Sequence, residues 1–536
     1  MELSEATKNL VGKYNIAKQR EAKKNDSPTI HVDEVALKVA AFYEKIRTVV
    51  EWKEEHLMRK AAIMRKLKRR FFDLQMSENQ NIAEPLIFEL IRGGHFGNHT
   101  IEESKIQDVQ KIIDKYIFIL KNNPENKKGK AGMQFYNWLL EVASCEIEDA
   151  LAPAIKEMAL INYMFGEMRE KIMVSDKIYD LGLLQKDEKG IQIYIAVCQA
   201  LFKLDKPIIS YNLIKYRYPQ WTKANQELIS KVTQNIFDIF KQIEKDLAHP
   251  VANKFYYVCE KYDTPYLLLG DILTQSESTD VSKEISNPEK LESKIRSAYS
   301  KRLSTLSARM SRAAIYSTIS IFVTKVLSLV LLELLIDKFM GGGINPIVLI
   351  ADVLIPTILM FLIVASAKKP SKKNLNNVIM ETMKIAYKTN SGDTYEIKTS
   401  RKKSLTTRII LSLVYVLSSV ASFGVIYFIL KYFGFPLTSI IVDIIFIALI
   451  LFTGTAVTKR AQELTVEDEK EGFIEFLADV FFLPVQGLGK WISNTWKQYN
   501  AIAALFNALI DMPFSAFVEF LEGWRYFIKE RKEEIR

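Results

Sequence analysis

Four apolar segments in the C-terminal half of the chain, 315–336, 344–366, 409–430 and 437–457, restrict its architecture more than any other feature. A hydrocarbon core about 30 Å thick needs about 20 mostly apolar residues in a helix that rises about 1.5 Å per residue. Each segment meets that length, so a multi-pass membrane protein is expected. Residues 337–343 and 431–436 are short turns, which pairs the segments into two transmembrane hairpins, 315–366 and 409–457.

Orientation follows from the basic residues beside the spans, which are retained on the cytoplasmic side. Arg309 and Arg312 precede the first span, Lys368, Lys369, Lys372, Lys373, Arg401, Lys402 and Lys403 fall in the central loop 367–408, and Lys459 and Arg460 follow the fourth span. The outer turns carry only Lys338 and Lys431. Both termini and the central loop are therefore expected in the cytoplasm of a cell bounded by this plasma (inner) membrane, with the named cations against anionic lipid headgroups.

The chain is 49% hydrophobic yet 25% charged, an average over two populations. Residues up to about 310 are polar enough for soluble domains, and the apolar excess comes after Ile315. A net charge of +10 suits lipid or nucleic acid on charge alone. Its position beside the spans favours lipid, and nucleic acid is not an expected partner. Cys145, Cys198 and Cys259 are far apart within apolar helical patterns, which fits buried free thiols. Residues 1–28 are polar and lysine-rich, without the apolar core of a signal peptide, and are expected to be disordered.

Residues 29–275 read as an all-α cytoplasmic domain, either a bundle or an irregular solenoid. An amphipathic pattern runs from Val32 to about Leu74, with Arg59, Lys60, Arg65, Lys66, Lys68, Arg69 and Arg70 forming a basic face for solvent, anionic lipid or an acidic partner. Further helical stretches are predicted at 81–93, 101–121, 130–147, 150–173, 190–205, 221–247 and 250–274. Thr100 and Glu103 have capping-box spacing, and Asn122-Asn123-Pro124 is a stop. The Ser-rich stretch 276–290 is expected to be a linker, and 291–314 a basic juxtamembrane helix running into the first span.

Charges at mid-bilayer depth are the sharpest local signal, because each costs about 2.5–3.5 kcal/mol unless paired or hydrated. Lys325, Asp352 and Asp443 lie within about 6 Å of one another in depth, at about 1.5 Å per residue, so Lys325 is expected to face one or both aspartates. Glu333 and Asp337 fall nearer the outer surface. The cluster is read as a buried ion pair fixing helix register, with an ion or proton relay as the alternative. Small residues Ser418, Ser419, Ala421, Ser422 and Gly424 suit close packing between helices or between protomers of a homo-oligomer.

The tail, 458–536, mixes large aromatics with regular charges and is broken by Pro484, Gly487, Gly489 and Pro513. That composition predicts amphipathic helices on the membrane surface, anchored by Trp491, Trp496 and Trp524. A further hairpin over 473–492 and 501–520 would place Asp479 and Asp511 in the apolar zone.

His95 and His99 sit among turn residues and lack the further ligands a zinc site needs. No phosphate-binding loop, dinucleotide fingerprint or nucleophile elbow is found, so neither an enzyme nor a cofactor is expected. The expected function is a membrane-anchored helical scaffold or adaptor binding a protein partner at the cytoplasmic face. The alternative is an oligomeric channel or transporter using Lys325, Asp352 and Asp443.

Overall fold

The computed structural model describes residues 2–23, 28–32, 55–73, 81–124, 129–275, 281–333, 346–366, 370, 372–387, 393–398, 404–466 and 473–499, with 520, 524, 527 and 528 in the tail. Among these residues nineteen α-helices and one two-stranded ladder make an all-α architecture. The chain divides into two compact units, one of residues 5–263, 392–398 and 504–536, the other of 1–4, 264–391 and 399–503.

The first unit contains α1 (Glu5–Lys23), α2 (Glu55–Asp73), α3 (Ala83–Arg92), α4 (Ser104–Asn122), α5 (Lys130–Leu151), α6 (Ile155–Lys171), α7 (Asp176–Asp180), α8 (Glu188–Phe202), α9 (Lys206–Arg217), α10 (Gln226–Leu247) and α11 (Ala252–Lys261). Two starts are capped by side chains: Asp205 accepts from the Ile208 amide with Pro207 in the first turn of α9, and Asn225 accepts from the Leu228 amide of α10. The capping box at Thr100 does not form. The α4 helix begins at Ser104, and the Thr100 hydroxyl donates to the Gly97 carbonyl at 2.6 Å, tying up the preceding turn instead.

A buried carboxylate organises the core of this unit. Glu146 accepts from Lys115 Nζ (2.6 Å), the Tyr116 hydroxyl (2.7 Å) and Trp221 Nε1 (3.0 Å), and the Lys115 ammonium stands 4.3 Å from the Trp221 ring centroid. Charge, donors and ring face compensate one another, as a buried ion requires. Cys145, Cys198 and Cys259 are buried and free, and burial pushes the Cys198 thiol up to about 12.

Much of the basic face of α2 is paired within the unit, while Arg69 is exposed. Arg59 meets Glu148 (2.8 Å), Lys60 meets Asp205, and Lys66 and Arg70 both meet Glu89. Its opposite face buries Met58, Ala62, Ile63 and Leu67. The N-terminal part of the expected long helix, 33–54, lies outside the described residues. His95 and His99 occupy turns as expected, with Gly94 at φ 74° and His99 at φ 57°. His99 stacks on His31 at 4.7 Å, and its Nε2 is 3.0 Å from His31 Nδ1. Strand β1 (Ile172–Val174) pairs in parallel with β2 (Tyr395–Ile397), which draws a piece of the central loop into this unit.

The second unit holds α12 (Asp263–Gln275), α13 (Val281–Ser286), α14 (Pro288–Ser328), α15 (Pro346–Ala365), α16 (Lys372–Tyr387), α17 (Leu405–Tyr432), α18 (Leu437–Ala461) and α19 (Phe473–Tyr499). Four of them, α14, α15, α17 and α18, are long and apolar enough to cross a membrane. As expected, the basic helix after residue 290 runs unbroken into the first of these. A cluster of Ala314, Met360, Val364, Phe446, Ile450 and Val457 joins α14, α15 and α18, and Val348, Leu430, Phe435 and Ile440 join the hairpin ends.

Four segments differ from the sequence reading. The polar N-terminus, expected to be disordered, holds α1, which buries Leu10, Val11, Tyr14 and Ala17. Within the expected linker, α13 buries Val281 and Ile285, and Asn287 then caps α14 by accepting from the Glu289 and Lys290 amides. The central loop contains α16, which buries Val378, Ile379, Ile385 and Ala386; its Asn374 donates to the Leu464 carbonyl and accepts from the Val466 amide. With six residues α13 is too short to show periodicity, whereas α16 carries Leu375, Val378, Ile379, Met383 and Ala386 at helical spacing, a signal the sequence reading passes over.

The tail differs most. A helix lying alone on a membrane surface has no protein partner along its middle, whereas α19 packs against the middles of α17 and α18, burying Val485 beside Ala448 and Leu451. Pro484 and Gly489, two of the residues that made the segment look broken, lie at this contact, and Pro513 lies outside the described residues. Pro484 has no amide to give the Val480 carbonyl, and the Ser418 hydroxyl donates to that carbonyl at 2.6 Å. Ser422 donates to the Phe481 carbonyl, and Gly489 passes so close to the Ala448 carbonyl that a Cβ there would collide with it.

Candidate functional site

The site is built on Lys325, near the end of α14. Its ammonium lies 2.8 Å from Glu333 Oε1, 2.9 Å from Asp352 Oδ2 and 3.0 Å from Asp443 Oδ1. All four side chains are at most 1% exposed. Lys325 therefore reaches both aspartates that sequence depth paired with it. The Phe446 ring, 5.4 Å from Nζ, covers the cluster from α18.

Glu333 is the partner that sequence reasoning missed, since it was placed nearer the outer surface. Eight residues along a regular helix of 3.6 residues per turn leave two side chains about 80° apart. Here α14 passes into a π-helical turn, Leu329–Glu333, and the extra residue such a turn takes up brings Glu333 back onto the face of Lys325. Ser328 adds a hydroxyl 3.3 Å from the same Glu333 oxygen. A carboxylate about two turns from a membrane-buried lysine was the available signal.

The backbone is irregular on the second helix as well. Pro356 stands inside α15 and cannot supply the amide that would bond the Asp352 carbonyl, one turn earlier. Lys325 donates a hydrogen bond to Glu333 Oε1 and stands at ion-pair distance from Asp352 and Asp443, whereas Glu333 Oε2 and both carboxylate oxygens of Asp352 and of Asp443 receive no hydrogen bond. The arrangement holds one ammonium against three carboxylates, all buried in the packing of three helices.

The expected headgroup contacts divide by what is described. Arg309 and Arg312 are exposed midway along α14, Lys373 and Arg460 are exposed at helix ends, Lys372 begins α16 and Lys459 lies in the last turn of α18. Lys368, Lys369, Arg401, Lys402 and Lys403 lie outside the described residues. Of the expected anchors, Trp491 and Trp524 are exposed, and Trp496 lies in the C-terminal part of α19.

The helical unit has a site of its own kind, a cavity of about 900 Å³ walled by α1, α2, α5, α6 and α9. Arg20, Arg59, Lys60, Glu148, Asp149 and Lys215 line it. Lys215 and the Tyr211 hydroxyl both reach Asp149 at 3.0 Å. Burial pushes the Glu148 carboxyl up to about 7 despite the Arg59 guanidinium beside it. No family model, no curated protein and no solved structure matches this chain.

Proposed function

We propose that the protein is a membrane-anchored helical adaptor of the plasma (inner) membrane, with both termini cytoplasmic. The four apolar helices are the anchor, and the unit of residues 5–263 is the part that binds a protein partner. The observation that carries this reading is the cavity of about 900 Å³ in that unit, lined by charges of both signs and large enough for a folded-in peptide segment. The basic residues beside the spans support the orientation, and anionic headgroups are their natural counterions. Affinity purification in mild detergent tests it. The wild type should retain a protein that a cavity variant, Arg20→Glu with Lys105→Glu, releases; identical co-purifying sets would count against the adaptor.

A second reading, an oligomeric channel or transporter, draws on a separate observation: Lys325 faces more carboxylates than it can neutralise. Protein-dependent proton or ion flux into liposomes, abolished by Asp352→Asn, would favour it over the adaptor.

A further inference from the structure

We propose that the cluster around Lys325 is a proton-binding site, holding two protons when the helices are packed as described. The inference is independent of both functional readings, because it concerns only what the buried groups must bind.

With every group ionised, one ammonium and three carboxylates would leave two negative charges uncompensated in a sealed, apolar setting. Isolated buried charge of that kind is not sustained; the group takes up a counter-charge or becomes neutral. The described titratable groups that face one another here are Lys325 and Glu333 from α14 and its π turn, Asp352 from α15 and Asp443 from α18. Phe446 supplies a ring and no charge. Nothing else in the described packing supplies the missing positive charge.

Protons fit the geometry better than a metal cation does. The ammonium already lies within 3.0 Å of an oxygen of each carboxylate, and the oxygens that receive no hydrogen bond are Glu333 Oε2 and both oxygens of Asp352 and of Asp443. These five are fewer than the six or more ligands a hard divalent ion requires. A proton needs one acceptor. Each uptake forms one O–H bond on a carboxylate with a proton from water, whose hydroxide stays in solution, and no bond of the protein breaks.

Infrared spectroscopy of the full-length protein in lipid nanodiscs reads this directly. At neutral pH the wild type should show the carbonyl stretch of protonated carboxylic acids in apolar surroundings, with a shift in heavy water. Glu333→Gln, Asp352→Asn and Asp443→Asn, each close in shape to the native residue, should diminish it, and the triple variant should leave only the share contributed by other buried carboxyls such as Glu148. Lys325→Met removes the only positive charge, so the band should grow about one-and-a-half-fold as the third carboxyl is protonated. A wild type lacking the band at neutral pH overturns the proposal, and that measurement needs no variant to fold. So does a band undiminished in the triple variant, or one lost from the wild type when sodium or calcium is added at constant pH, which would assign the site to a metal cation.

Discussion

The Ser418 hydroxyl occupies the place of a missing amide: it donates at 2.6 Å to the carbonyl of Val480, the oxygen that Pro484, one turn farther on, leaves without a helical partner. Two substitutions in different helices are thereby coupled. Ser418→Ala strands a carbonyl between helices and should destabilise the bundle by about 1–3 kcal/mol. Adding Pro484→Ala restores an amide within α19, so the double variant should recover most of that loss. Thermal unfolding in nanodiscs gives the cycle; equal costs of Ser418→Ala with proline or alanine at 484 would show the two residues to be independent.

Lys325→Met should cost about 3–5 kcal/mol by removing the centre of the charge cluster. Replacing Asp352 with Asn, Asp443 with Asn or Glu333 with Gln in that background should return part of the stability, as each removes a source of negative charge. Denaturant or thermal unfolding in detergent is the measurement. Failure of all three to rescue would mean that the loss does not come from carboxylates left unpaired, and the pairing would be wrong.

Glu148 makes stability depend on pH. Its carboxyl titrates at about 7 when folded and near 4.5 when exposed, so the folded state holds the proton more tightly. The sign follows. Below pH 4.5 the group is protonated in both states and adds nothing, and as pH rises to 7 the folded state loses stability relative to the unfolded. At about 1.4 kcal/mol per unit the loss approaches about 3 kcal/mol. Glu148→Gln should flatten this slope, measured as hydrogen-exchange protection of α5 and α2 in the full-length protein at several pH values. An unchanged slope would assign it to other groups.

The proposed topology makes its own demand. With native cysteines replaced, labels at Gly342 and Gly434 should react from outside intact cells, and labels at Ser391 and the C-terminus should not. Protection of Gly342 with exposure of Ser391 would invert the arrangement.

What could be read from sequence in this chain followed the range of the interaction. The four apolar helices announce themselves locally, and depth along two of them sufficed to bring Asp352 and Asp443 to Lys325. Glu333 escaped because its position depends on a π turn, a local departure that a fixed 3.6-residue period hides. The basic face of α2 was open to solvent, lipid or an acidic partner because Glu89, Glu148 and Asp205, which pair with Arg59, Lys60, Lys66 and Arg70, come from other segments of the chain. The burial of α13 and α16 is likewise conferred by tertiary neighbours. In α19, proline and glycine were taken as breaks, since their compensation lies on another helix.

The contact at Gly489 bears on how such a bundle finds its arrangement. Between apolar helices, lipid tails are as good a neighbour as leucine, so greasiness alone does not say which helix stands beside which. A backbone position without a side chain supplies an address that lipid cannot imitate: α18 can bring its Ala448 carbonyl against α19 only where no Cβ intervenes. A methyl group at Gly489 would therefore act as a spacer, parting α19 from α18 while leaving every apolar residue of both helices unchanged.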